Sequence, residues 1–146
     1  MLTIIIILAI IIIAALAFYA GRLLFQLNKQ TNEQNAVRNT RIANISESIQ
    51  TIAFAMSQQQ CDLSEGCIRL YKLLEAVPVT PRPDYASIYS NLYALYDQIK
   101  HMPTHEERQQ QSKNERRKMD LQREELEAKL ESNILKEIEQ LKHFVV

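Results

Sequence analysis

Hydrophobic and polar positions divide the chain into blocks. Leu2 to Ala20, LTIIIILAIIIIAALAFYA, is apolar and uncharged, and its only side-chain polar atoms are the hydroxyls of Thr3 and Tyr19. As a helix this stretch spans about 28 Å, close to the hydrocarbon thickness of a bilayer. Arg22 ends it. Asn28 to Thr40, NKQTNEQNAVRNT, is almost wholly polar, and no Pro or Gly interrupts Arg22 to Gln60. That pattern predicts a solvated helical stalk. Ile42, Ile45, Ile49, Ile52 and Met56 then recur at helical spacing. With Ala53 they fall within about 100° of the wheel, so this face must bury against another helix. The stripe is about two heptads long, short of an independent coiled coil, and Gln58-Gln59-Gln60 leads out of it.

Asp62-Leu-Ser-Glu65 has capping-box spacing and opens a helix to about Ala76. Leu63, Cys67, Leu70, Leu73, Leu74 and Val77 form one face, with Gly66 in it to admit a close neighbour. Glu65, Arg69 and Lys72 lie opposite. Val77-Pro-Val-Thr-Pro-Arg-Pro83 forbids a continuing helix and predicts a stiff connector. Its P-x-x-P, Pro78 to Pro81, reads as a rigid loop before a recognition motif. Asp84 caps a further helix to about His101. Ile88, Leu92, Leu95 and Ile99 supply the aliphatic half of its stripe. Tyr85, Tyr89 and Tyr96 supply the adjoining half, with Tyr93 at the margin. These tyrosines read as a helix–helix rim; the functional alternative is a groove for a partner peptide or a lipid headgroup.

Pro103 breaks that helix, and Thr104-His-Glu-Glu107 offers another capping box. From Glu106 to about Phe144 no breaker appears. Glu106 to Lys118 holds no apolar residue. Arg116-Arg117-Lys118 is flanked by Glu115 and Asp120 without interleaved aromatics, so it reads as a solvated face and not a nucleic-acid patch. Met119, Leu126, Leu130, Ile134, Ile138, Leu141 and Val145 then form a stripe. In a simple up-down arrangement this apolar stretch would lie level with the polar stalk, and Glu106 to Lys118 level with Ile45 to Met56. That mismatch predicts a partner for the stripe outside its own chain, most simply a second copy.

Composition fits an all-α chain, since two glycines and four prolines in 146 residues leave little turn chemistry for hairpins. Lys plus Arg equals Asp plus Glu at 17 each, so no global field points to nucleic acid. Cys61 and Cys67 are too few for a disulfide scaffold and fail the usual zinc spacings. Cys67 reads as a core residue. His101 and His105 stand four apart, but Pro103 between them prevents a shared helical face. A loop metal site with Glu106 is therefore disfavoured. No cofactor, metal or catalytic constellation is expected.

The apolar segment lacks the positive n-region of a signal peptide and exceeds the usual apolar core. Ala15-Leu16-Ala17 and Phe18-Tyr19-Ala20 mimic cleavage sites, but an uncleaved anchor is the stronger reading. Arg22, Lys29, Arg38 and Arg41 against Glu33 on the following flank put the C-terminal part in the cytoplasm and the N-terminus outside. The expected organisation is an anchor over 1–21, a stalk over 22–41 and an antiparallel helical bundle over 42–146 with a long charged final helix.

Gln58 to Val77 (QQQCDLSEGCIRLYKLLEAV), Ile99 to Gln109 (IKHMPTHEERQ) and Lys118 to Glu127 (KMDLQREELE), behind an N-terminal anchor, resemble a small gammaproteobacterial family of single-pass proteins classed as a domain of unknown function. The resemblance covers nearly the whole chain and implies a bacterial inner membrane. It carries no assigned activity, so it implies no functional residue. The function expected is a membrane-anchored interaction or scaffold protein, bound to lipid through residues 2–20. Its partner surface is drawn from Tyr85, Tyr89, Tyr96, Leu126, Leu130, Ile134, Ile138, Leu141 and Val145, with self-association through the C-terminal helix. The alternative is a tethered hydrolase using Cys61 or Cys67 with His101 or His105, which would need a base within hydrogen-bond reach of the thiol.

Overall fold

A computed structural model describes residues 2–103 and 109–146; for residues 2, 3, 5, 8 and 9 it describes the backbone alone. All regular structure among the described residues is helical: α1 (Leu2–Ser57), α2 (Leu63–Ala76), α3 (Tyr85–Ile88), α4 (Ser90–Ile99) and α5 (Lys113–Leu141). The expected all-α class is the observed one. The box at Thr104 to Glu107 lies outside the described residues. Contacts divide the chain into two units, Met1–Thr40 and Arg41–Val146.

The first unit is the N-terminal part of α1. Every described side chain in it is exposed. By length and composition this helix can cross a membrane. Past the apolar segment the helix is kept by local bonds. Thr31 and Thr40 donate their hydroxyls to the carbonyls of Leu27 and Ala36, and Lys29 lies 3.9 Å from Glu33. Such i−4 bonds let polar residues occupy a helix without competing for its backbone donors.

The second unit is a helical bundle. Its core joins Ile49, Ala53 and Met56 of α1, Cys67, Leu70 and Leu74 of α2, Leu92, Leu95 and Ile99 of α4, and Ile134, Ile138 and Leu141 of α5. α1 ends in a Schellman turn: Gln60 N–H reaches Ala55 O (2.9 Å) and Gln59 N–H reaches Met56 O (3.0 Å), with Gln59 left-handed at φ 58°. Gly66 is buried under Met56. A Cβ there would lie 2.6 Å from the Met56 Cγ and Cε, so the glycine leaves room for the Met56 side chain between α1 and α2.

Tyr93 donates to Glu75 (2.9 Å), while Tyr96 stacks on Tyr71 at 3.6 Å and 12°. The later residue on α4 thus meets the earlier one on α2, so these helices are antiparallel. Tyr71 also meets Tyr93 edge-on at 4.9 Å. Of the tyrosines read as a helix–helix rim, Tyr96 and the marginal Tyr93 thus meet Tyr71 of α2, while Tyr85 and Tyr89 lie elsewhere.

Three local expectations are corrected. The Asp62 side chain makes no capping bond, and Glu65 turns to Arg69 instead, a charge-assisted partner one turn on. Asp84 does cap, accepting from Ser87 N (3.3 Å) and Ser87 Oγ (2.6 Å), and these bonds hold its carboxyl below the usual range. The helix it opens, however, is one turn long. Tyr89 leaves helical geometry at φ −115°, ψ 54°, and α4 starts afresh. Ile88 is thereby rotated off the stripe and stands 50% exposed.

The third correction concerns α5, which begins at Lys113 behind a capping box, Ser112–Glu115. Its apolar C-terminal half packs inside its own chain. The Gln50 amide donates to the Phe144 carbonyl (2.8 Å), so this half lies level with the Ile49–Met56 stripe of the same unit. Helix lengths explain the difference. α2 and α4 have 14 and 10 residues against 29 in α5, about 21 and 15 Å against about 43 Å. The bundle can fully cover only part of α5, and it covers the part that carries Ile134, Ile138 and Leu141.

Candidate functional site

The proline connector, α3 and the residues after α5 enclose a groove of about 410 Å³. Pro78, Pro81 and Pro83 keep the connector out of helix, and Arg82 ties it back to α2. The guanidinium lies 2.8 Å from Glu75 and 3.5 Å from the Leu74 carbonyl, one of the orphan acceptors at that helix end. Val79 N–H closes a tight turn on Val77 O (3.0 Å), and the Thr80–Pro81 peptide is cis. Val79, Pro81 and Pro83 form one wall.

The floor is aromatic. Tyr85 lies 6.4 Å from Tyr89 in a stacked arrangement, and its other neighbour is Phe144, at 6.0 Å and 53°. All three are buried. Burial pushes the phenol pKa of Tyr85 and of Tyr89 above the ordinary value, so both stay neutral hydroxyls at physiological pH. The rim is open: Ile88, Val145 and Val146 are 50%, 83% and 49% exposed. Gln140 and His143 are the polar lining from the C-terminal side. Among the described residues the groove is lined mostly by apolar side chains, with no charged pair in it.

Behind this floor stands Glu137, 7% exposed. Its Oε1 accepts from Asn91 N (2.9 Å) and Asn91 Nδ2 (2.7 Å), and its Oε2 accepts from Leu92 N (2.9 Å). A carboxylate from α5 thus caps the first turn of α4, where unsatisfied N–H groups and the helix dipole favour negative charge. The break at Tyr89 exposes those N–H groups to it. Glu137 therefore fixes Tyr89, and with it the groove floor. Periodicity alone does not reveal this residue as a cap. Its one sequence signal is its place three after Ile134 and four before Leu141, an acid on the buried face.

The structure distributes the expected partner residues unevenly. Tyr85, Tyr89 and Val145 come together in the groove. Tyr96 belongs to the rim trio. Leu126 and Leu130 are half-buried against the core. Ile134, Ile138 and Leu141 are fully buried within the chain, so the stripe that lacked a partner on the sequence has one. Phe144 lies in the core too.

The thiols offer little chemistry. Cys67 is fully buried and its pKa is pushed up to about 12, by burial first and then by the Glu137 and Glu127 charges. A thiolate is the nucleophile, so this one is inert. Cys61 is raised as well, again mainly by burial, and its Sγ lies 3.6 Å from the Asp62 carbonyl. Both cysteines are free. His101 is exposed, and His105 lies outside the described residues. Among the described residues no group of three His, Cys, Asp or Glu side chains could hold a metal ion.

Residues 13–141 match the family described as protein of unknown function (DUF2489). An uncharacterized protein of Haemophilus influenzae is 39% identical over 132 residues, covering 90% of this chain and 87% of the relative. No solved structure matches. The chain belongs to the DUF2489 family.

Proposed function

We propose that this DUF2489 protein is a membrane-anchored interaction protein. Residues 2–20 anchor it in a bacterial inner membrane, the domain over 42–146 works at the cytoplasmic face, and the proline–tyrosine groove takes an apolar segment of a partner protein. The observation that carries this reading is the groove: a floor of buried aromatic rings, a proline wall, and exposed Ile88, Val145 and Val146 at its edge. Aromatic anchors in a pocket with an apolar rim are what protein–protein contacts are built around. About 410 Å³ admits a few side chains and not a folded domain. The lining holds no ion pair, which favours an apolar occupant over a charged one.

The anchor rests on the length and apolarity of the N-terminal helix, and the orientation on the basic flank Arg22, Lys29, Arg38 and Arg41. Self-association through Leu126 and Leu130 is the weaker version of the partner hypothesis, because the rest of that stripe is buried in its own chain.

A photo-crosslinking residue placed at Val145 in cells tests the groove, with one at exposed Glu131 as control. A discrete adduct at Val145 that Ile88→Asp removes is the expected result. The same adducts at both sites would defeat the groove assignment. For orientation, a C-terminal alkaline phosphatase fusion should be inactive and a fluorescent-protein fusion bright; the reverse pattern puts the domain outside.

A further inference from the structure

The polar part of the first unit carries a pattern that neither the anchor nor the groove uses. That unit, Met1–Thr40, holds four asparagines, Asn28, Asn32, Asn35 and Asn39. Their spacing of 4, 3 and 4 on one unbroken helix puts all of them within about 60° of the wheel. The unit's three glutamines, Gln26, Gln30 and Gln34, each lie at least about 130° from the middle of that strip. The nearest charges, Lys29 and Arg38, stand about 90° to either side of it.

Asparagine is a poorer helix former than glutamine, lysine or glutamate, all of which this stretch also contains. Solubility alone would mix these residues around the helix. A strip of asparagine alone gives up helix stability on one side only. Thr31 and Thr40 bond their own backbone and Lys29 pairs with Glu33, but none of these four exposed carboxamides has a partner among the described residues. Gly21 lies on the same strip. A Cβ there would meet nothing within 4 Å, so this helix-weakening glycine makes room for no neighbour among the described residues.

We infer that α1 pairs through this strip with α1 of a second copy, parallel and in register. A carboxamide offers a donor and an acceptor at once, so an asparagine is complementary to its own equivalent across a two-fold seam. A charged partner would call for charge on the strip, which carries none. Asparagine at the seam of a two-stranded coil fixes register and strand number while weakening the contact. Leu24 and Phe25, both exposed, flank the strip near Gly21 and add apolar contact. A weak seam suffices where copies are concentrated by confinement in one bilayer. The parallel register thus rests on the proposed anchor: copies held by residues 2–20 leave the membrane at one level and in one direction, so Asn28 faces Asn28 and Asn35 faces Asn35. The seam shares no residue with the groove and places self-association on α1 instead of α5.

The test is disulfide trapping in cells that make the full chain with Cys61→Ser; Cys67 is fully buried and stays. Single cysteines are placed on the strip, by Asn28→Cys or Asn35→Cys, and opposite it, by Gln30→Cys or Gln34→Cys, and a mild oxidant is added. The strip variants should give a band at twice the chain's mass, at least about fivefold stronger than the opposite variants, because a disulfide needs Cα atoms within about 7 Å. Adding Asn32→Lys and Asn35→Lys to Asn28→Cys should cut that band roughly tenfold, by setting like charges against each other. Fractionation reads the anchor separately. A chain in the soluble fraction defeats the anchor and the register with it. A membrane-bound chain with no band, or with bands as strong from Gln30→Cys as from Asn28→Cys, overturns the seam alone and leaves a solvated stalk. A band of any other mass overturns the second copy as the occupant.

Discussion

α4 and α5 begin in opposite ways. At the start of α5, Ser112 Oγ accepts from Glu115 N (3.3 Å) while Glu115 Oε2 accepts from Ser112 N (2.9 Å), so the cap is complete within four consecutive residues. At the start of α4 no neighbouring side chain caps. The acceptor is Glu137, 45 and 46 residues from its partners and nearly out of solvent. A local cap starts a helix wherever the sequence writes it, even where α5 has no core beneath it. A remote cap makes the start of one helix depend on the docking of another. α4 is therefore formed only as part of the bundle, whereas the first turn of α5 is formed on its own terms.

The strongest way to break this contrast is Glu137→Ala. It removes three hydrogen bonds to a buried carboxylate and orphans two backbone N–H groups, and should cost about 4 kcal/mol in urea unfolding of the full chain. Glu137→Gln keeps one acceptor oxygen and should cost about half as much. If Glu137→Ala costs no more than the loss of an ordinary cap, the contrast fails. Leu92→Ala leaves the capped N–H in place but removes a fully buried side chain, and should cost about 3 kcal/mol, as should Leu70→Ala on α2. Amide exchange sharpens the distinction: α4's first turn should lose protection ahead of the rest of the bundle in Glu137→Ala, but together with it in Leu92→Ala.

Smaller effects follow. Gly66→Ala strains the α1–α2 contact against Met56 while both caps stay intact. Overpacking outweighs the gain in helix propensity, for a net loss of about 1–2 kcal/mol that Met56→Ala should partly relieve. Ser112→Ala should cost about 1 kcal/mol at most, with faster exchange confined to the first turn of α5. At a third kind of helix end, Gln59→Gly should stabilise by about 0.5–1 kcal/mol, because the left-handed residue of the Schellman turn carries a Cβ there.

The sequence made legible what depends on spacing along one helix. The stripes through Ile49, Leu70, Leu92 and Ile138 are the core, and the prolines at 78, 81 and 83 are the connector. It hid what depends on pairs far apart. Ile88 fits the wheel of an unbroken helix and leaves it only because the chain breaks at Tyr89, where Glu137 receives the next N–H groups. The fate of Ile134, Ile138 and Leu141 turned on how little of α5 the short α2 and α4 could cover, which no single-helix pattern states. In the groove, Tyr85 and Tyr89 were legible as aromatic anchors. Their convergence with Val145 was not, because it needs the chain's last residues returned to α3. Ser112-Lys-Asn-Glu115 was legible in principle, but it lies in a polar stretch with no apolar run to mark a start.

The bond from Gln50 to the Phe144 carbonyl joins positions 94 residues apart. It bears on the order in which the protein comes into being. The wall of the core that holds Ile134, Ile138, Leu141 and Phe144 is made after the other three, so the stripe from Ile49 to Met56 leaves the ribosome long before its cover exists. Until that wall emerges, α1 and α2 present an unfinished apolar surface, and α4 lacks the carboxylate that starts it. This domain closes only once residues 134–144 have left the ribosome, and a product truncated before them would stay open and prone to capture by chaperones or proteases.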